Sequence, residues 1–534
     1  MYCCFPCRFH SWDEPSSPAA PKWSPPEGDV RAIFSLHKFR SDDKDVLDED
    51  GLRRCLGAYQ QGGKRGLDDD DTNDVERLLE QIRSTRDGPR ILRQQLFTFD
   101  DFHRILFSHD VNPPIRHRRV HHDMTLPLSH YFIYSVHNPY YATAADQWLC
   151  SSHGRSDEPI IRALKMGVRA IEVAMWPNSK ADDIKIHHGW TQNTRVLLTE
   201  CLKSIKEYAF IASRYPVIIT LEDNLQSSNL QKKAAKVFLD VLGDVLYWPH
   251  ADYIDVRGNA YSNNKPLKDF PSPDELMGAV LLSTKPPSHL EVDVSEDDDD
   301  QLHVHKGADD KDAAWGPEVP FFQTEKIQSD HQKVHTEKLT VDIPKCLHQG
   351  LPKATRVTSS NYNPFLGWVH GAQMVALDMQ EYGRALWLMH GFYRANGGCG
   401  YVRKPDFLIM QTEPEVFDPR KHLPVKKTLK VKVYMGDGWL TDFKHAHTSF
   451  IPDLSTSVGI AGVPADTTAM KNTKATENTW VPVHQYDVSE KDVFGGQTVL
   501  PVSELRPGIR AVALFDRQGN RFDNVRLLMG FDFV

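Results

Sequence analysis

Three things this chain lacks bound it before any motif is read. No apolar run approaches the ~20 residues that a membrane-crossing helix needs, and the opening MYCCFPCRFH has no apolar core of the kind a secretory signal carries. Positive charge is not in excess. The net charge is −9 over 534 residues, so the chain as a whole attracts neither nucleic acid nor anionic lipid, and any membrane contact must be local. Cysteine is sparse: the eight residues are scattered, which predicts free thiols in a reducing compartment rather than a disulfide framework. What is present is an ordinary globular composition, 40% hydrophobic and 25% charged, on a chain long enough for two to four domains.

The one cysteine cluster, Cys3, Cys4 and Cys7 beside Arg8, lies in a stretch (residues 1–28) whose Pro- and Ser-rich continuation SWDEPSSPAAPKWSPPEG reads as flexible. S-acylation there would anchor the chain to a membrane; the alternative is a dispensable tail. Residues 29–112 carry apolar stripes at i, i+3, i+4 spacing in DVRAIFSLHKF, DEDGLRRCLGAY, NDVERLLEQIRST and TFDDFHRILFS, which predicts four helices. SDDKDVLDEDGL has acids but not the register of a calcium loop, and Asp68 to Asp71 read as a solvated charge run.

The stretch His130 to Thr191 organises the rest. HYFIYSVHNPYY, RALKMGVRAIEVAMWPNS and IKIHHGWTQNT are short apolar runs that end in or carry His137-Asn138, Glu172 and His188; a fourth, YPVIITLEDN, ends in Glu222. Reactive groups of α/β barrels stand at the C-terminal ends of parallel strands. Two imidazoles, two carboxylates and an amide in such places suit phosphodiester chemistry, the oxygens taking a hard cation and the imidazoles moving protons. Amphipathic helices are expected in NTRVLLTECLKSIKEYAFIAS and LQKKAAKVFLDVLGDVLYW, and a fifth strand in MGAVLLSTK, ending at Lys285. The acidic stretch VSEDDDDQLHVHKGADDKDAAWGPE has no periodic core, so residues 287–355 read as a disordered linker between two half-barrels, residues 120–286 and 356–412. From residue 426 to 534 the period becomes two, in LKVKVYMGDGW, STSVGIAGVP, QTVLPVSEL, IRAVALFD and NVRLLMGFDF, which predicts a β-sandwich.

The His130–Thr191 stretch resembles the X box of plant-type phosphoinositide-specific phospholipase C, and SSNYNPFLGWVHGAQMVALDMQ with ANGGCGYVRKPDFL resembles its Y box. The resemblance runs from about Asp29 to Val534. It implies an EF-hand-like helical module, a split TIM barrel and a C-terminal C2 domain. It implies calcium as cofactor and phosphoinositide lipid at a membrane surface as partner. It also implies roles: His137 stabilises a pentavalent phosphorane and His188 protonates the diacylglycerol leaving oxygen. Asn138, Glu172 and Glu222 ligate calcium, one glutamate doubling as general base. Ser283 and Lys285 stand at the headgroup positions after the fifth strand, and Asp453, Asp487 and Asp492 fall at C2 calcium-loop positions.

Several positions depart from that pattern. Ala174 stands where the family has an aspartate two residues after Glu172, and Arg169, at an odd offset, faces the other way. Gln349 and Leu351 replace an arginine and a tyrosine that hold the headgroup, and Val493 replaces a loop acid. NTWVPV runs almost directly into HQYDVSEKDVFGG, where the family has two more strands, so the sandwich is expected to be truncated, with exposed edges. Two readings follow: an attenuated enzyme that cleaves phosphatidylinositol 4,5-bisphosphate, peripheral at the plasma membrane and cytoplasmic, or an inactive lipid- or protein-binding relative.

Overall fold

The computed structural model describes residues 2–4, 7–10, 29–41, 44–60, 80, 96–137, 157–187, 196–225, 227–248, 261–262, 265–266, 270–284, 321–328, 347–351, 361–409, 424, 427–443, 453–463, 471–476, 479–482 and 493–534. They fall into two compact units, one of residues 119–389 and 393–419, the other of 1–118, 390–392 and 420–534.

The second of these units begins with strands β1 (Tyr2–Cys4) and β2 (Cys7–His10) and the helix α1 (Asp29–His37). Strands β3 (Phe39–Ser41) and β4 (Lys44–Leu47), helix α2 (Glu49–Gln60), strand β5 (Phe97–Thr98) and helix α3 (Phe99–Phe107) follow. Three of the four expected helices are present, and the one over 73–85 falls almost wholly outside the described residues. The start of α3 is fixed by a capping box: Thr98 Oγ1 accepts from Asp101 N at 3.3 Å, and Asp101 Oδ2 accepts from Thr98 N at 3.0 Å.

The barrel unit contributes β6 (Tyr131–His137), helix α4 (Glu158–Lys165), β7 (Ala170–Pro177), β8 (Ile184–Ile186), helix α5 (Leu198–Tyr208), β9 (Val217–Asp223) and helix α6 (Ser228–Leu242). A two-residue hairpin, β10 (Tyr261–Ser262) and β11 (Lys265–Pro266), precedes β12 (Val280–Thr284), β13 (Phe321–Gln328), β14 (Leu347–Leu351), β15 (Met374–Asp378) and β16 (Tyr401–Arg403). Strands β6, β15, β14, β13, β12, β9 and β7 pair in parallel in that order, and β6 pairs again with β7, closing a seven-stranded ring. Every residue of β6 is buried, as expected of a parallel strand covered on both faces.

Two expectations are corrected in this unit. The run carrying His188 was expected to be a parallel barrel strand, but β8 lies antiparallel to β7, with Met175 opposite Ile186 and Pro177 opposite Ile184. Only residues 178–183 separate the two, and a parallel return needs a crossover of about a dozen residues or more. The linker is also shorter than its composition suggested. Strands β13 and β14 lie inside 287–355 and belong to the ring, so the second half-barrel resumes by Phe321. FFQTEKIQ and LHQGL are half polar and carry neither an apolar run nor a helical stripe, which hid them.

The chain then returns to the other unit with β17 (Leu429–Asp437), β18 (Asp453–Ala461), β19 (Lys471–Thr476), β20 (Thr479–Pro482), β21 (Val493–Gly496), β22 (Val499–Pro501), β23 (Gly508–Phe515) and β24 (Arg521–Phe533). Strands β17, β24 and β23 form one antiparallel sheet, and β18 to β22 belong to a second. The helical module and this β region, expected as separate domains, share one core: Phe102, Ile105, Leu106 and Phe107 pack with Met435, Ile509 and Leu528. Asn112 ties them together. Its Nδ2 donates to Leu106 O at 2.9 Å and to Ile509 O at 3.1 Å, and its Oδ1 accepts from Arg510 Nη1 at 3.1 Å. The expectation of a flexible N-terminus is corrected for residues 2–4 and 7–10, where β1 and β2 are paired strands of the second sheet, while residues 11–28 lie outside the described residues.

Candidate functional site

Strand register decides which side chains meet inside the barrel. In a parallel sheet, residues in register point the same way, and alternate residues share a face. Ile133, Ala170, Ile218, Leu281 and Met374 are buried together in one apolar cluster, which identifies the interior face of five strands. Counting by two toward the C-terminal ends, the interior positions become polar. Asp378 pairs with His137, and Glu172 with Thr220, which pairs in turn with Ser283. Ser135 pairs with Ala170 and Val136 with Ile171, which puts His137 level with Glu172. One row thus crosses five strands: Asp378, His137, Glu172, Thr220, Ser283. The next interior row holds Ala174 directly beside Glu222.

His137 is clamped between two carboxylates. Its Nδ1 lies 2.8 Å from Asp378 Oδ1, and its Nε2 lies 3.5 Å from Glu172 Oε2. All three are buried, at 9%, 4% and 1% exposure for His137, Asp378 and Glu172, so the charges act with little screening by water. An Nδ1–H that donates to Asp378 fixes the ring and leaves Nε2 facing the row. Asp378 is itself held through its backbone: Asn361 Oδ1 accepts from Asp378 N at 2.8 Å, and Asn361 Nδ2 donates to Asp378 O at 2.8 Å. Burial first, and then the Asp378 charge, raise the carboxyl of nearby Glu381 above the ordinary range.

Asp378, Asn361 and Thr220 were missed in the sequence. Asp378 ends the run MVALD as His137 ends YFIYSVH, so the strand-end rule already pointed to it. Thr220 lay within VIITLED, where only the last acids drew notice. Its hydroxyl is buried and has no hydrogen-bond partner among the described residues.

The other expected residues divide. Glu222 is half-buried at the end of β9, and its neighbour Asp223 accepts from Leu225 N at 2.8 Å and from Gln231 Nε2 at 2.7 Å. Ser283 is in the polar row but closed to solvent. Arg169 faces away from the interior as expected. Its guanidinium donates to Ala209 O, Ser213 O and Tyr215 O, and burial lowers its pKa to about 10. His187 is buried and stacks on Trp176, with centroids 5.2 Å apart. Gln349 and Leu351 lie on β14, opposite Lys326 and Gln328. Asp453 opens β18. Asn138, His188, Lys285, Asp487 and Asp492 lie outside the described residues.

The donors fit a hard cation in kind, with Glu172 and Glu222 on adjacent strands of one face and the Thr220 hydroxyl, without a partner among the described residues, in the Glu172 row. They fit it less well in number, since Ala174 offers no oxygen beside Glu222.

Known proteins share this layout. Residues 124–286 match the family described as phosphatidylinositol-specific phospholipase C, X domain, and residues 303–407 match the corresponding Y domain, a span that takes in β13 and β14. Phosphoinositide phospholipase C 6 of Arabidopsis thaliana is 40% identical over 92% of this chain and 91% of its own length. Phosphoinositide phospholipase C 2 of the same plant is 41% identical over 95% and 96%. The crystal structure of S. officinalis PLC21 superposes with a TM-score of 0.67 at 21% identity, covering 94% of this chain and 68% of that one, and bears on the fold alone. With both boxes matched and the plant relatives aligned nearly end to end, the chain belongs to the phosphoinositide-specific phospholipase C family.

Proposed function

We propose that this chain hydrolyses phosphatidylinositol 4,5-bisphosphate to diacylglycerol and inositol 1,4,5-trisphosphate, with reduced turnover. The observation that carries the reading is the clamp on His137. A buried imidazole with Nδ1 on Asp378 and Nε2 facing Glu172 can hold a proton where charge develops on a phosphate. In this mechanism the inositol 2-hydroxyl attacks its own phosphorus, and one of Glu172 and Glu222 takes the proton. His137 stabilises the phosphorane, and His188 delivers a proton to the diacylglycerol oxygen. Water then opens the cyclic phosphodiester. Calcium held by Glu172, Glu222 and Asn138 would lower the pKa of the attacking hydroxyl and balance phosphate charge. Lys285 meets the ring phosphates, and the rest of that pocket is weakened at Gln349 and Leu351.

One observation favours a second reading, an inactive lipid- or protein-binding regulator: Ala174 is in register beside Glu222, where the family pattern has a third carboxylate. A turnover assay separates the two. Purified chain should release inositol trisphosphate from bisphosphate vesicles across a calcium series, and His137→Gln should abolish that release. No release at any calcium concentration leaves the regulator reading.

At the bilayer, we assign weak calcium-driven docking to the loops around Asp453, Asp487 and Asp492, since Val493 offers no carboxylate there. We assign a plasma-membrane pool to S-acylation at Cys3, Cys4 and Cys7; one acyl chain binds only marginally and two hold.

A further inference from the structure

The larger β-sheet of the C-terminal region contains strands from the far end of the chain. One edge of β18 pairs with β19, and β19 with β20. The other edge of β18 pairs with β1 and β2, Tyr2 lying opposite Ala461 and His10 opposite Asp453. The far edge of β1 pairs with β22, Cys3 opposite Leu500, and the far edge of β2 pairs with β21, Arg8 opposite Phe494. Strand β18 does not pair with β21 or β22. Strands β1 and β2 are therefore the only strand-pairing link, among the described residues, between the β18–β19–β20 half and the β21 and β22 half.

Both halves nonetheless contribute to one core, in which Leu500 and Leu505 pack with Val458 and Ile460. Take residues 2–10 away, and the two halves face each other across about two strand spacings, ~9.5 Å. Each half then presents a row of unpaired amides and carbonyls, which is the most costly kind of edge to leave open. Among the described residues, no other strand lies between β18 and β21 or β22.

We propose that residues 2–10 are a donor strand that completes this sheet, so that the C-terminal region depends for its order on a segment more than four hundred residues away. The slot accepts one extended peptide, hydrogen-bonded on both sides, in the manner of strand addition. Insertion also bears on the acylation assigned above, and in that respect rests on it. The backbones of Cys3, Cys4 and Cys7 are laddered on both edges, opposite Ile460 and Leu500, Gly459 and Val499, and Thr456 and Gly496. A strand held in this way cannot enter the active site of an acyltransferase. The inserted and acylated states exclude each other.

Hydrogen exchange read by mass spectrometry on the full chain tests this. Amides of residues 3–10 should exchange at least about 100-fold more slowly than in a free peptide of the same sequence. Deleting residues 2–10, or making Arg8→Pro to break the ladder, should raise exchange at 456–461 and 499–501 while leaving the barrel strand 131–137 unchanged. Added peptide of residues 1–12 should restore the deletion variant. Exchange of residues 3–10 at the free-peptide rate in the intact chain overturns the proposal, and so does unchanged protection at 456–461 in a folded deletion variant. Protection of residues 3–10 found only in a dimer overturns the intrachain pairing. A deletion variant that does not fold leaves the intact chain and Arg8→Pro to decide. Acylation is scored separately on the intact chain: palmitate found on the protected form refutes the exclusion but leaves the donor strand standing.

Discussion

Replacing Asp378 by Asn changes one charge and almost no volume. The carboxylate oxygen stands 2.8 Å from His137 Nδ1, and both groups are nearly closed to water. The Asn361 bonds go to the backbone of Asp378 and survive the change. The local fold should therefore hold, and the loss falls on the imidazole. A hydrogen bond to a charged group contributes about 1.5–3 kcal/mol when buried. At about 1.4 kcal/mol per factor of ten in rate, Asp378→Asn should lower kcat by about 10- to 150-fold. KM should move little, because Asp378 acts through His137 and does not reach the lipid. The assay is initial rates on bisphosphate vesicles at saturating calcium, with a melting curve on the same preparation. An unchanged kcat would refute the positioning role. So would a fall in kcat matched by a comparable fall in melting temperature, since that would make Asp378 structural only.

Three further outcomes are expected. Ala174→Asp restores a carboxylate beside Glu222 and should raise activity while lowering the calcium needed; calorimetry showing tight barrel calcium in the unaltered chain, with no gain on substitution, would show that this strand is misaligned with its family. Preference for the bisphosphate over phosphatidylinositol should be weak and should fall further in Lys285→Ala, because an arginine fork and an aromatic face of ~1–3 kcal/mol each are absent at Gln349 and Leu351; a preference that survives Lys285→Ala would place the pocket elsewhere. Lys404 is buried, its Nζ has no hydrogen-bond partner among the described residues and lies 5.8 Å from the Phe132 ring centroid, and burial lowers its pKa from 10.5 to about 7. The unfolded chain holds the extra proton between pH 7 and 10.5, so the penalty is full below pH 7 and fades as pH rises toward 10.5. Lys404→Met should therefore raise stability at pH 7 by a few kcal/mol, with a gain that shrinks by pH 10 in denaturant titrations; a gain independent of pH would mean that packing, not charge, is responsible.

What the sequence reveals of this fold follows from how each strand is covered. Strands β6, β7, β9, β12 and β15 are buried on both faces and read as apolar runs. Strands β13 and β14 belong to the same ring but have mixed composition, and the acidic stretch before them makes the whole segment read as linker. The antiparallel turn of β8 is misread when strand ends alone are counted, although residues 178–183 are too few for a crossover. The insertion of residues 2–10 was not legible. Their partners are distant in sequence, Pro6 interrupts them, and nothing local announces a strand.

Within the site, the same limit separates residue from arrangement. The strand-end rule finds His137, Glu172 and Glu222, but only register shows that they occupy two levels. His137 and Glu172 share the inner row with Asp378, Thr220 and Ser283, whereas Ala174 and Glu222 form the outer one. Read along the chain, Ala174 looks like damage to the whole constellation, two residues from Glu172. Read across the sheet, the missing carboxylate belongs to the outer row, and the His137 clamp stays complete one level below it. Asp378 and Ala174 thus fall on different rows, with Glu172 of the inner row common to the clamp and to the proposed cation site. Ala174→Asp and Asp378→Asn should act independently: restoring the outer carboxylate shifts the calcium dependence of whatever turnover the inner row supports, and Asp378→Asn lowers that turnover at every calcium concentration. Non-additive effects in the double variant would show that the two rows work as one.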